Sequence, residues 1–128
     1  MTDPHMTDIF ALCNVIRETS FEIHRYLRNG HREQIYENAL AHRLRKQGIS
    51  VAQQPEIRVF DEDGTALGNL KADLIIETQL ICEIKGVNSI VEEHIAQLLG
   101  YLRATKLEHG LLINFGAPRL QVKKLILS

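Results

Sequence analysis

Ile9, Leu12, Cys13, Ile16, Ile23 and Leu27 recur at spacings of three, four and seven, the stripe that one buried helix face requires, and this predicts a helix from Asp8 to Arg28. Asn29-Gly30 offers the left-handed stop that commonly ends a helix. A second helical pattern runs from about Arg32 to Gln47, where Gly48 closes it. Beyond it the pattern shortens. Ile49 to Gln53 and Glu56 to Asp61 are β-prone runs parted by Pro55, and Asp63-Gly64 signals a turn before Leu67 and Gly68. Lys71 to Glu77 and Leu80 to Lys85 are short, rich in Ile and Leu, and separated by a few residues, so they read as a hairpin. Ser89-Ile90-Val91-Glu92 has the spacing of a capping box, predicting a third helix from that point to about Lys106. Gly110 to Phe115 is nearly continuous apolar sequence, as in a strand covered on both faces, and Gln121 to Leu127 reads as a final strand. The resulting order is two helices, three or four strands, a helix and two strands, without repeats or low-complexity tracts.

A chain of 128 residues that is 45% hydrophobic can bury one core, so a single domain over residues 8–128 is expected, with residues 1–7 set aside as a lead-in containing a second methionine, Met6. Fifteen Lys and Arg against sixteen Asp and Glu leave a net charge of −1, so any nucleic-acid binding must come from a local patch. Cys13 and Cys82 both sit in apolar patterns and suit buried reduced thiols better than a disulfide framework. No apolar run reaches the roughly 18 residues of a membrane span, and no signal-peptide core is visible, so a soluble, cytoplasmic protein without membrane association is expected.

The chemistry lies in polar residues that interrupt apolar strands. Burying a charge is costly unless it is paired or bound to a metal. Glu83 and Lys85 are two apart on one strand and share a face, while Cys82 and Ile84 point to the other. Whether Asp73 joins them depends on the hairpin register. A two-residue loop at Thr78-Gln79 would pair Asp73 with Ile84 and separate it from Glu83; a three-residue loop would pair Ile75 with Glu83 and Asp73 with Lys85, placing all three groups together. An odd-length loop or an equivalent bulge is the expectation. Two carboxylates so placed repel unless a cation or proton intervenes, and hard oxygen ligands suit magnesium or manganese. Such an ion beside an ammonium points to phosphodiester hydrolysis. Bare spacing also fits an ion-paired strand face with a purely structural role.

Asp73 followed after nine residues by Glu83-Ile84-Lys85 resembles the Asp…Glu-x-Lys core of the PD-(D/E)XK nucleases. Gln97-Leu98-Leu99-Gly100-Tyr101 resembles the Gln-x-x-x-Tyr element of exonuclease-like branches, and its Gln97 and Tyr101 share a helical face. Gly30-His31-Arg32-Glu33-Gln34-Ile35-Tyr36 is similar to the Gly-x-x-Glu-x-x-Tyr signature of the GxxExxY family, with Arg28-Asn29 where that family commonly has a further Gly-Pro. The likeness continues through Ala39-Leu40, Lys71 to Ile75 and Leu112 to Phe115. It implies an α/β fold with a mixed central β-sheet flanked by helices. It also implies that Glu33, Asp73 and Glu83, with the Ile84 carbonyl, surround Mg2+ or Mn2+. Lys85 would stand beside the metal as a catalytic group with Asp73 and Glu83, Glu33 being the fourth member of the site, and Gln97, Tyr101 and Tyr36 would position substrate.

The implied activity is a small metal-dependent nuclease acting on DNA or RNA, with a homodimer or a protein partner as a way to enlarge its limited surface. The alternative is a non-catalytic module that uses the same cleft to bind nucleic acid or protein. Arg25, Arg28, His31 and Arg32 cluster before Glu33 and could hold phosphates, although a solvated basic turn has the same appearance. No His-x-x-x-His or Cys-x-x-Cys pairing points to structural zinc.

Overall fold

A computed structural model describes residues 8–127; the lead-in considered above lies outside them, as does Ser128. The chain opens with α1 (Ile9–Leu27) and α2 (Glu33–Lys46). Asp8 caps α1 by accepting from the N–H groups of Phe10 and Ala11, satisfying two donors that the first turn leaves open. The stop falls one residue earlier than Asn29-Gly30 suggests, because Arg28 itself takes a positive φ of 62° and returns its N–H to the His24 carbonyl.

Among the described residues seven strands and one more helix follow: β1 (Val51–Gln53), β2 (Glu56–Phe60), β3 (Ala66–Lys71), β4 (Leu74–Ile76), β5 (Leu80–Lys85), α3 (Glu92–Thr105), β6 (His109–Asn114) and β7 (Gln121–Ile126). The main sheet has the order β1-β4-β5-β6-β7, with β5 and β6 parallel and the other neighbours antiparallel. The parallel pair needs a crossover, which α3 supplies. β2 and β3 form a separate antiparallel hairpin, and the single run expected from Lys71 to Glu77 is divided at Ala72-Asp73 between this hairpin and the main sheet. Strand β3 is almost wholly exposed, so it lacks the apolar alternation that would mark it in sequence.

Alternation along β5 divides the molecule into two layers. Leu80, Cys82 and Ile84 enter the core beneath α1 and α2, with Leu12, Ile16, Leu40, Leu111 and Phe115. Ile81 faces the opposite layer, where Ile57, Leu98, Leu102 and Leu112 join α3 and the β2–β3 hairpin to the sheet. Burying one such Leu or Ile contributes about 1.5–3 kcal/mol, which fixes the facing of the whole strand. Glu83 and Lys85, two and four residues after Ile81, therefore fall on the α3 side.

The third helix begins later than the Ser89 capping box implies. Its N-cap is Val91, and His94 Nδ1 accepts the Val91 N–H at 3.1 Å, so an imidazole performs the reach-back expected of a glutamate. Cys13 and Cys82 are free and buried, and among the described residues no helix is long and apolar enough to cross a membrane.

Candidate active site

The loop between β4 and β5 is Glu77-Thr78-Gln79, the odd length that brings Asp73 and Glu83 to one face. Its register differs from the expected one by two residues. Leu74 lies opposite Cys82 and Ile76 opposite Leu80, so the ladder continues to Asp73 opposite Glu83 rather than opposite Lys85. The turn starts at Glu77 because Glu77 and Thr78 both adopt a φ of 53° and the Glu77 N–H turns to the Ser50 carbonyl. A two-residue shift preserves parity, so the side chains stay on the predicted face.

Where the β4–β5 ladder ends, the two acids continue it with their side chains. The Asp73 N–H donates to Glu83 Oε2, and the Ile84 N–H donates to Asp73 Oδ2, each at 2.7 Å. Lys85 lies two residues further on, and its Nζ donates to Gln97 Oε1 on α3 at 3.1 Å. One turn along α3, Tyr101 is almost covered. The sheet and the crossover helix thus bring Asp73, Glu83, Lys85, Gln97 and Tyr101 together.

Glu33 and Tyr36 have different surroundings. Glu33 opens α2 and accepts the Gly86 N–H at 3.0 Å, directly after Lys85. Its carboxylate is thereby held at the rim, and Gly86 is a close approach: a Cβ there would lie 3.2 Å from Glu33 Cγ. Tyr36 is fully buried, stacked on Phe115 at a centroid distance of 4.7 Å, with its hydroxyl donating to the Arg28 carbonyl and accepting the His31 N–H. These contacts support the α1–α2 turn that presents Glu33. Ile84 packs its side chain in the core, leaving only its backbone to face the site.

Glu37, one helical turn after Glu33, went unnoticed in the sequence. It is 3% exposed and receives three amide donors, from Gln34 at 3.1 Å, Gln53 at 2.9 Å and Gln54 at 2.6 Å. The Gln54 amide also reaches Asp73 Oδ1 at 3.4 Å, tying this carboxylate to the pair on the sheet. The i, i+4 spacing from Glu33 was a usable signal, but only the folded chain brings Gln53-Gln54 over the helix.

Three acids at close quarters with little solvent set the electrostatics. Burial pushes the Glu83 carboxyl up to about 8, and the negative charges of Asp73 and Glu37 push the same way; the Asp73 N–H and the Lys85 ammonium oppose them. Asp73 is also raised, chiefly by burial, with the Ile84 N–H as the main opposing influence. Burial raises the Tyr101 hydroxyl too, helped by the charges of Glu83 and Asp73 and opposed by a hydrogen bond with Gln97. A cluster that resists full ionisation in the absence of a cation is characteristic of a functional site.

A family model described as the PD-(D/E)XK nuclease superfamily matches residues 11–125. The chain belongs to this superfamily. The five-stranded mixed sheet flanked by helices is that of a PD-(D/E)XK fold, and the solved structure of SSO0001 resembles it with a TM-score of 0.61 at 22% identity. The likeness covers 73% of this chain and 48% of that one, so the chain spans about half the length of that structure. No curated protein sequence matches it. Nuclease-like function is the reading that superfamily membership supports, and PD-(D/E)XK nucleases generally use divalent metals.

Among the described residues no group of three or more His, Cys, Asp or Glu side chains is arranged to hold a metal ion, so the expected set of Glu33, Asp73 and Glu83 does not close around one point. Asp73 and Glu83 nevertheless suit a divalent cation. They are adjacent oxygen donors whose charges repel, and the nearby ammonium is engaged with Gln97. Magnesium commonly takes only one or two carboxylates, completing its shell with water and substrate phosphate.

Proposed function

We propose that this protein is a metal-dependent phosphodiester hydrolase acting on nucleic acid, a member of the GxxExxY branch on the strength of Gly30, Glu33 and Tyr36. The observation that carries the reading is the reciprocal Asp73–Glu83 pair, with the Lys85 ammonium on the same face. Asp73 and Glu83 would supply oxygen ligands to Mg2+ or Mn2+. The ion, when bound, supplies polarisation of a phosphoryl oxygen and acidification of a water. Gln97 steers the Lys85 ammonium, which neutralises charge developing on the phosphate and orients the attacking water. Tyr101 and Gln97 form the wall along which the strand lies, Glu33 shapes the rim at Gly86, and Glu37 holds Asp73 through Gln54.

The test is incubation of the purified protein with labelled single- and double-stranded DNA and RNA, with and without magnesium or manganese, alongside Asp73→Ala and Lys85→Ala. Cleavage that needs metal and disappears in both variants is the expected result. A binding module without cleavage is the second reading, favoured by the backbone N–H groups that already occupy oxygens of both acids. Absence of cleavage across all substrates and metals, with binding retained after Lys85→Ala, would select it.

A further inference from the structure

A groove of about 480 Å3 opens between the β2–β3 hairpin and α3, lined by Phe60, Leu70, Gln97, Gly100, Tyr101 and Arg103 among others. Its volume is that of a small-molecule site. It adjoins the proposed active site, because Gln97, which lines it, also holds Lys85 Nζ at 3.1 Å. Its chemistry is mixed in a specific way. The walls are aliphatic and aromatic, the polar groups are an amide, a phenol hydroxyl and a guanidinium, and no carboxylate lines it although the neighbouring site is acidic.

Phe60 is 53% exposed at the groove, a large aromatic ring left in solvent. Gly100 is equally informative, since a Cβ there would meet nothing within 4 Å: this helical position is empty by lack of a side chain and not by crowding. An occupant must therefore be flat enough to stack on an aromatic ring, uncharged itself, edged with hydrogen-bonding groups for Gln97, and attached to an anion that Arg103 can meet. An unpaired nucleobase has these properties, and stacking on aromatic side chains is how single strands are commonly held.

We propose that this groove is a nucleobase pocket, which receives one unpaired base of the strand whose phosphodiester lies at Lys85, so that the substrate is single-stranded or locally unpaired nucleic acid. The proposal rests on the nuclease reading for the position of the phosphodiester.

The experiment is equilibrium binding of fluorescein-labelled single-stranded DNA and RNA oligonucleotides, with an abasic residue moved through successive positions, to wild type and Gly100→Leu. The added side chain fills the groove on a helix that tolerates it, and a retained or raised melting temperature verifies folding. Gly100→Leu should weaken binding about tenfold, and an abasic residue at one position should weaken wild type by a similar factor. The two losses should not add. Phe60→Ala should repeat the loss and Phe60→Trp should restore affinity. Wild-type affinity in Gly100→Leu, an undiminished abasic penalty in that variant, or equal binding of a fully paired duplex would each overturn the pocket. A cleavage assay on the same preparations separates the two readings. Cleavage with additive losses leaves the nuclease standing without the pocket; coupled losses without cleavage leave the pocket standing without the nuclease.

Discussion

At the scale of single residues, Glu83 links the stability of the fold to pH. Its carboxyl is held at about 8 in the fold, against an ordinary value of 4.5. Between these values the folded state keeps a proton that the unfolded chain releases, so this contribution to stability is complete below about pH 4.5 and declines as pH rises through about 8. The melting temperature of the metal-free protein should therefore fall from pH 5 to pH 8, and Glu83→Gln should flatten that slope in a calorimetric series. Divalent cations bind the ionised carboxylates, so their affinity should rise over the same interval with release of protons, measurable by titration calorimetry in buffers of different ionisation enthalpy. Glu37 acts beside it. Replacing Glu37 with Gln removes a buried charge that three amides satisfy, and should cost about 1–3 kcal/mol in denaturant unfolding while lowering the Glu83 titration midpoint followed by carbon NMR.

At the scale of elements, the segment after β5 is held by contacts that tolerate little intrusion. Asn114 is completely buried at the end of β6. Its oxygen accepts the N–H groups of Val87 and Gly116, and its amide donates to the Val87 carbonyl and Gln121 Oε1. A Cβ on Gly116 would lie 2.3 Å from the Gly86 carbonyl carbon and 2.4 Å from the Val87 nitrogen, so the backbone itself must move. Gly116→Ala should cost about 1–3 kcal/mol and displace Lys85 and Gly86, reducing both stability and any cleavage. Gly86→Ala meets the flexible Glu33 side chain at 3.2 Å and should cost less. The order of their melting temperatures is the check, and equal values would contradict this account of the packing. Tyr36→Phe belongs to the same scale: it removes both hydrogen bonds of the hydroxyl and leaves the Arg28 carbonyl and His31 N–H to find other partners.

The whole molecule is a sheet between two helical layers, with the proposed chemistry where β5 ends and the crossover begins, a place where open α/β sheets commonly bind ligands. Its net charge of −1 provides no general attraction for nucleic acid. Local positive charge does gather: Arg25 and Arg28 from α1 and its cap meet Arg119 from the β6–β7 connection around one concavity beside His24. Oligonucleotide affinity should fall steeply between low and moderate salt, as phosphate contacts release counterions, and Arg119→Gln should reduce that slope in a fluorescence titration. A slope unchanged in that variant would remove this concavity from the binding surface.

The apolar periodicities of α1 and α2, the buried runs of β5 and β6, and the parity that places Glu83 and Lys85 on one face were legible in the sequence, because helix and strand periods are local properties of a chain with one core to bury. The ordered Asp…Glu-x-Lys and Gln-x-x-x-Tyr motifs pointed to the superfamily by their resemblance to its members, which local period alone does not supply. Tertiary structure alone decided the rest. The Asp73–Glu83 register followed from where the β4–β5 turn could form, the helix start at Val91 from an imidazole reaching back, and the burial of Tyr36 from Phe115 folding over it. The gathering of Glu37 with Gln53 and Gln54, and of Phe60 with Gly100, joins residues on separate elements, whose proximity depends on how the layers pack rather than on local period.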